Sequence, residues 1–234
     1  MHLDLDLLLK TYLYIIKKLE RNAIREYGPK LDGFLLDLGC GCGVYKKYFS
    51  YKKYVGLDVN IELRPSILGN AMALPFCNSV FDSVICTEVL EHLNEPEMCL
   101  EELYRVMKSD GVGFITVPMS WNLHYEPNDY FRFTKYGICY LLEKHGFQVI
   151  EVKRIGGLFS LIGSRFVDIV SLVIWRKLKK IERIIPYKIR HLIVLCFSIP
   201  VSIVFYISSL LLDRINSSDA IGWLVLFRKM DVSQ

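Results

Sequence analysis

The run Leu35-Leu-Asp-Leu-Gly-Cys-Gly-Cys-Gly-Val-Tyr45 concentrates the residues best suited to chemistry. An apolar stretch carries one acid, Asp37, and then three glycines at alternate positions, Gly39, Gly41 and Gly43. This predicts a buried strand entering a very tight turn that opens a helix. Glycine allows positive φ and lets a ligand come close to the main chain. A second acid, Asp58, closes the next apolar run (Tyr54-Val-Gly-Leu-Asp58), 19 residues after Gly39. That layout suits a nucleoside-binding βαβ unit whose second acid accepts hydrogen bonds from ribose hydroxyls.

The ligand's charge can be narrowed. A dinucleotide fingerprint would place glycine or alanine where this chain has Val44, which argues against a nicotinamide-dependent oxidoreductase. A pyrophosphate would also be repelled by Asp37, whereas an ammonium or sulfonium would be welcomed. A purely structural turn in an ordinary α/β protein is the lesser alternative for this loop taken alone.

The loop resembles the first motif of class I S-adenosylmethionine-dependent methyltransferases. Leu74-Pro-Phe76, Phe81-Asp82, Glu88-Val-Leu-Glu-His92 and Lys108-Ser-Asp-Gly111 resemble, in order, the type-11 branch of that family. The resemblance covers roughly residues 30–155 and a last strand-like segment at 222–229. It implies an α/β fold: a Rossmann-like seven-stranded, mostly parallel sheet with an antiparallel last strand, plus a hydrophobic helical insertion before that strand. The implied cofactor is S-adenosyl-L-methionine. Its methionine portion would be shaped by the main chain at Gly39, Cys40, Gly41 and Gly43, with Asp37 near the amino-acid end. Asp58 would take the ribose, Val59 would pack on adenine, and Asn70 and Ala71 would lie at the adenine edge. Glu88 would help line the pocket. Asn70 stands where the family usually has aspartate, and its side-chain oxygen can still accept a hydrogen bond.

The polar, aromatic stretch 118–134 follows the expected fifth strand. Ligands in open α/β sheets bind at the carboxyl edge of the strands, so this loop should face the acceptor. His124 is the first candidate base, since imidazole titrates near neutral pH, and His92 the second. The stronger reading of His92 is structural, pairing with a carboxylate and orienting the helix. Tyr125, Glu126, Asp129, Tyr130 and Arg132 are candidate acceptor contacts. Asp129 and Arg132 could instead form a salt bridge that shapes the loop. The pattern His124-x-Glu-Pro-x-Asp-Tyr-Phe-Arg-Phe-Thr134 resembles methyltransferases of surface-glycan and lipid-linked sugar pathways. That implies a small-molecule or lipid-linked acceptor. A non-catalytic, cofactor-binding scaffold of the same fold is the alternative.

The elements that must position these groups follow from periodicity. Residues 4–27 repeat apolar side chains at helical spacing and end at Gly28-Pro29. Strand-like and helix-like segments then alternate to residue 117, which implies crossover helices. A helix over 135–144 and a strand over 147–154 come next. The expected domains are 1–156 with 218–234 for the methyltransferase unit, and 157–217 for the insertion.

The insertion accounts for the unusual composition. Apolar residues make up 52% of the chain and mean hydropathy is +0.29. Residues 158–175 are mostly apolar, 176–190 hold seven basic residues and one acid, and 192–212 hold no charge. The last run is long enough to span a bilayer. A single crossing would strand residues 222–229 away from their sheet. Two crossings would export the basic segment, against the positive-inside tendency. The expectation is therefore interfacial helices, with the basic residues meeting anionic headgroups. Burial against the domain, or in a homodimer, is the competing reading.

The remaining composition sets bounds. The net charge of +4 is modest and no basic stripe interleaved with aromatics occurs in the catalytic half, so no nucleic-acid partner is expected. Seven scattered cysteines form no C-x-x-C pair, and no metal is expected from ligand spacing. Free thiols and an acidic first segment fit a cytoplasmic, membrane-associated protein.

Overall fold

The computed structural model describes residues 3–215 and 218–231, with side chains from residue 15 onward. It contains β1 (Phe34–Leu38), β2 (Lys53–Asp58), β3 (Ile67–Leu68), β4 (Phe81–Thr87), β5 (Met107–Pro118), β6 (Phe147–Ile155) and β7 (Gly222–Lys229). Its helices are α1 (Leu3–Tyr27), α2 (Pro96–Val106), α3 (Lys135–Lys144), α4 (Leu158–Lys179) and α5 (Tyr187–Leu212). The strands form one seven-stranded sheet in the order β3-β2-β1-β4-β5-β7-β6. The pairs β1–β2, β1–β4, β2–β3 and β4–β5 are parallel, and β7 runs antiparallel to β5. The expected fold class is thus observed.

The central strands are apolar on both faces. Leu35, Leu36, Leu38, Val84, Ile85, Phe114, Ile115 and Leu224 are fully buried. Strands covered on both sides read as continuous hydrophobic runs, which is why 35–38, 83–86 and 223–227 stand out in the sequence.

One expectation fails. No α-helix follows the glycine loop. The chain makes only a 3₁₀ turn over Lys46–Tyr48 before β2 begins at Lys53. Nine residues (44–52) separate Gly43 from β2. Returning along a six-residue strand of about 20 Å would take about 13 helical residues at about 1.5 Å each. The segment is too short for that helix, so regular strand–helix alternation holds only across β4–α2–β5 and β5–α3–β6.

The Lys108-Ser-Asp-Gly111 motif lies inside β5. Phe81 pairs with Met107 and Ser83 with Val112, so residues 108–111 bulge opposite Asp82. Asp110 there adopts φ +60.

The chain divides into two compact units, Met1–Glu20 with Ile155–Ile221, and Arg21–Arg154 with Gly222–Gln234. All the candidate chemistry lies in the second. In the first, α4 and α5 form an antiparallel hairpin: Phe166 meets Phe205 (ring centroids 5.6 Å apart) and Trp175 meets Tyr187 (5.8 Å). Asp213 closes its base by accepting from the Phe159 and Ser160 N–H groups (2.8 and 3.2 Å) and from the Ser160 hydroxyl.

Candidate active site

Three loops converge at the carboxyl edge of β1, β4 and β5. After β1, Gly39, Gly41 and Gly43 all take positive φ (+67, +53 and +67). The Gly39 and Cys40 N–H groups both donate to Leu57 O (2.8 and 3.1 Å), which ties the turn to β2. A Cβ on Gly39 would lie 2.3 Å from Val89 Cγ2, so the turn packs directly on the segment after β4. A Cβ on Gly41 would meet nothing within 4 Å. Open space therefore lies over the middle of the loop, where a ligand can approach the main chain.

Asp58 ends β2 beside this loop. Its Oδ2 accepts from the Gly41 N–H (2.9 Å) and its Oδ1 from the Asn60 N–H (2.9 Å). Each carboxylate oxygen retains acceptor capacity for a further donor such as a ribose hydroxyl. Val59 next to it is 79% exposed, leaving an apolar surface open for a flat ring. Asn70 Oδ1 accepts from the Met72 N–H (2.9 Å), and Ala71 is buried beside it. The Glu88 N–H donates to Thr116 O (3.1 Å) while Glu88 adopts φ +53. The glycine turn and Asp58 are therefore brought together, and with the exposed Val59 they fit S-adenosylmethionine: an open glycine cradle, an acid at the second strand and an apolar platform.

Asp37 lies beneath the loop. It is only 3% exposed, and its Oδ2 accepts from the Tyr54 hydroxyl (2.7 Å). Burial pushes its carboxyl up to about 7, the Tyr54 hydrogen bond opposes that, and the nearby Asp58 charge adds to it. Burial also pushes the Cys40 thiol up to about 12, so Cys40 serves as a small packing residue over Gly56. Tyr54 was missed at the sequence level. It was legible: Tyr54, Gly56 and Asp58 alternate onto one face of β2, and Gly56 pairs with Asp37.

The acceptor side is built from residues 119–134 folded onto the turn after β4. The Tyr130 and Phe131 N–H groups donate to Glu91 O (2.8 and 3.3 Å), and Phe133 N–H to Pro118 O (2.9 Å). Of the two alternatives for Asp129 and Arg132, the salt bridge is observed. Arg132 Nη1 and Nη2 each reach Asp129 at 2.7 Å, and its remaining donors go to Trp121 O, Asn122 O and Phe131 O. Asp129 also accepts from His124 N–H (2.9 Å). The side chain of Asp129 is 1% exposed, so the pair shapes the loop rather than presenting itself to an acceptor.

The two histidines meet. His92 and His124 ring centroids lie 4.6 Å apart at 80°. His92 Nδ1 is 2.6 Å from Asn128 O, and its Nε2 is 3.7 Å from Glu91 Oε1. His124 Nδ1 is 3.1 Å from Asn122 O, and burial holds the His124 imidazole below its ordinary value. It is therefore neutral at pH 7, as a base must be. Tyr125 is 80% exposed and packs its ring against both imidazoles (5.3 and 5.7 Å). Tyr130 is half exposed at the same rim, and Glu126 is exposed.

A separate cavity of about 560 Å³ opens at the opposite, amino-terminal edge of the sheet, beside Lys30, Asp82 and Lys108. Of its cations, Lys30 pairs with Glu151 and Lys108 with Asp82, and Lys52 lies 4.0 Å from Asp32. Ligands of open α/β sheets bind at the other edge.

Residues 36–115 match the family model described as a methyltransferase domain. An uncharacterised protein of Methanocaldococcus jannaschii is 28% identical over 183 residues, covering 73% of this chain and 81% of that protein. Cycloartenol-C-24-methyltransferase 1 of Oryza sativa is 29% identical over 133 residues, covering 49% of this chain and 38% of that enzyme. Among solved structures, Haemonchus contortus phosphoethanolamine N-methyltransferase 2 in complex with S-adenosyl-L-methionine aligns with a TM-score of 0.55. It is 17% identical and covers 95% of this chain and 57% of that one. This structural likeness is one of fold.

Proposed function

We propose that the chain, which carries a class I S-adenosylmethionine-dependent methyltransferase domain, methylates an amphiphilic acceptor at a membrane surface. The observation that carries the cofactor half is the pairing of the open Gly41 cradle with Asp58. S-adenosylmethionine supplies a methyl group activated by a sulfonium. The chain's own task is alignment and, for a hydroxyl acceptor, removal of a proton. Asp58 holds the ribose and keeps the glycine turn in register. Val59 and Ala71 flank the adenine, with Asn70 at its edge and Glu88 lining the pocket. Asp37 balances the cationic end of the cofactor from below. His124 stands as the base, and His92 orients it. Tyr125, Glu126 and Tyr130 line the rim that meets the acceptor, on a loop held by Asp129 and Arg132.

The membrane half rests on the α4–α5 hairpin. Its buried positions are Ser160, Gly163, Ser164, Val167 and Ser171 on α4, and Arg190, His191, Val194, Ser198, Ser202 and Ser209 on α5, so seven of the eleven are serine or glycine and the charged and aromatic-ring exceptions sit at the closed end. Its exposed positions include Phe166, Ile169, Leu192, Phe197, Val204 and Leu211. Small polar residues inside and large apolar residues outside is the packing of helices surrounded by lipid. Both helices are long and apolar enough to cross a membrane by length and composition. This pattern favours an embedded hairpin over helices lying half in water. An antiparallel pair also returns the chain to the side it left, so β7 can rejoin its sheet. The basic residues 176–190 at the hairpin's closed end oppose its full transfer across the bilayer, so the hairpin enters one leaflet and these residues stay with its anionic headgroups. The rice relative named for cycloartenol fits an amphiphilic acceptor.

Two measurements test the proposal. Full-length protein incubated with methyl-labelled S-adenosylmethionine and a membrane lipid extract should place label in the lipid fraction. It should also float with anionic liposomes, whereas a variant lacking 157–217 should not. Label transfer by neither lipid nor water-soluble extracts from protein that binds cofactor would favour the scaffold alternative.

A further inference from the structure

We propose that Glu91, His92 and His124 form a binding site for one divalent transition-metal ion beside the acceptor. Glu91 and His92 lie on the 3₁₀ turn after β4, and His124 lies on the loop after β5. One ligand atom from each lies within 4.8 Å of the other two. A tetrahedral ion bound at about 2.1 Å separates its ligands by about 3.4 Å, so closing the site takes side-chain movements of about 1 Å.

The ring orientations point to the same use. His92 Nδ1 and His124 Nδ1 both face main-chain carbonyls, Asn128 O at 2.6 Å and Asn122 O at 3.1 Å. A carbonyl only accepts, so each Nδ1 carries its ring's proton and each Nε2 presents a lone pair. Proteins prepare metal-ligating imidazoles in this way, with the far nitrogen fixed by a carbonyl or carboxylate. Asp129 Oδ2 stands 3.4 Å from His124 Nδ1 and supplies the carboxylate version of that support. The backbone bonds from Tyr130 and Phe131 to Glu91 O fasten the two ligand-bearing segments together.

Two imidazoles and one carboxylate suit zinc or iron(II) rather than calcium or magnesium, which prefer all-oxygen shells. Three protein ligands leave a coordination position for an acceptor oxygen. Resting on the proposed methyl transfer, loading the site would turn His124 from base into ligand, and the ion would take over that role by easing loss of the acceptor hydroxyl's proton to solvent. That oxygen's lone pair then forms the bond to the methyl carbon. The carbon–sulfur bond breaks, and its electron pair returns to sulfur as a neutral thioether. Sequence spacing hid the site because His124 is distant from His92 along the chain and joins it only through the β4–β5 pairing.

The test titrates chelator-treated full-length protein with Co²⁺ and Zn²⁺ in the absence of cofactor. The expected result is one Co²⁺ per chain with visible ligand-field bands, displaced by Zn²⁺. Affinity should fall at least about tenfold in H92Q and in H124Q, and should stay unchanged in H145Q. S-adenosylmethionine binding retained by H92Q and H124Q would establish that both variants are folded. The inference is overturned if cofactor-competent protein takes up no stoichiometric Co²⁺. It is equally overturned if the bands persist in the H92Q/H124Q double variant, or carry the intense near-ultraviolet absorption of cysteine ligation. Metal uptake without cofactor binding would uphold this site and defeat the methyltransferase reading instead.

Discussion

Asp58 Oδ2 accepts the Gly41 N–H across 2.9 Å, so the acid that closes β2 also fixes the conformation of the glycine turn. One carboxylate therefore serves two purposes, holding the loop and receiving the ribose. Asp58→Ala removes both and should weaken S-adenosylmethionine binding by about 30- to 150-fold, the loss of about 2–3 kcal/mol. Asp58→Asn keeps an oxygen for Gly41 and should lose less. Calorimetric titration of the two variants gives the comparison.

Asp37 makes both stability and cofactor binding depend on pH. Its folded value of about 7 lies above the ordinary 3.8, so its ionised form is the disfavoured one in the apo fold. The stability it contributes is fully present below about pH 4 and is lost as pH rises through about 7. The apo protein's Asp37-dependent loss of melting temperature should thus fall in that window and be absent in Asp37→Asn. A cationic ligand favours the ionised carboxylate, so affinity for S-adenosylmethionine should rise with pH across the same range. Tyr54→Phe removes the opposing hydrogen bond and should move both profiles to higher pH.

The Asp129–Arg132 pair predicts a separation of roles. Arg132→Ala leaves the 1% exposed Asp129 side chain without its bidentate partner. Breaking such a pair costs about 3–5 kcal/mol when fully buried, and less here because Arg132 is partly exposed. The local loss should open residues 119–134. Limited proteolysis should then cut this loop, methyl transfer should fall more than about tenfold, and cofactor affinity should change less than about threefold.

The hairpin predicts a packing defect. A Cβ at Gly163 would lie 2.6 Å from the Phe205 side chain, so Gly163→Leu should force α4 and α5 apart. Asp213→Ala should expose the unbonded Phe159 and Ser160 N–H groups at the start of α4, costing about 1–2 kcal/mol. Thermal unfolding in detergent reads both. Flotation with liposomes should persist in Asp213→Ala, because the outward apolar surface is unchanged.

The centre of the sheet was legible because β1, β4 and β7 are buried on both faces and carry mainly apolar runs, and β7 matches the strand-like segment expected at 222–229. The glycine loop was legible because glycine adopts the positive φ values seen there at least cost, and Asp58 because it closes the next apolar run. The missing helix after Gly43 was misread because local pattern carries no measure of how far the chain must travel. Asp129 and Arg132 could not be separated from acceptor contacts by residue type, since a salt bridge and a polar binding pair look alike in sequence. The His92–His124 contact depends on two neighbouring strands and has no local signature. The inside-out hairpin was half visible: hydropathy marked the segment, but only helix pairing reveals that the serines face inward.

The most direct test is calorimetric titration of the folded full-length chain with S-adenosylmethionine. The expected result is saturable binding at one site per chain, displaced by S-adenosylhomocysteine and weakened in Asp58→Ala. A folded wild-type protein giving no binding heat across its pH range, with no protection of the Gly39–Gly43 amides from hydrogen exchange, would contradict the assignment of this crevice to the cofactor.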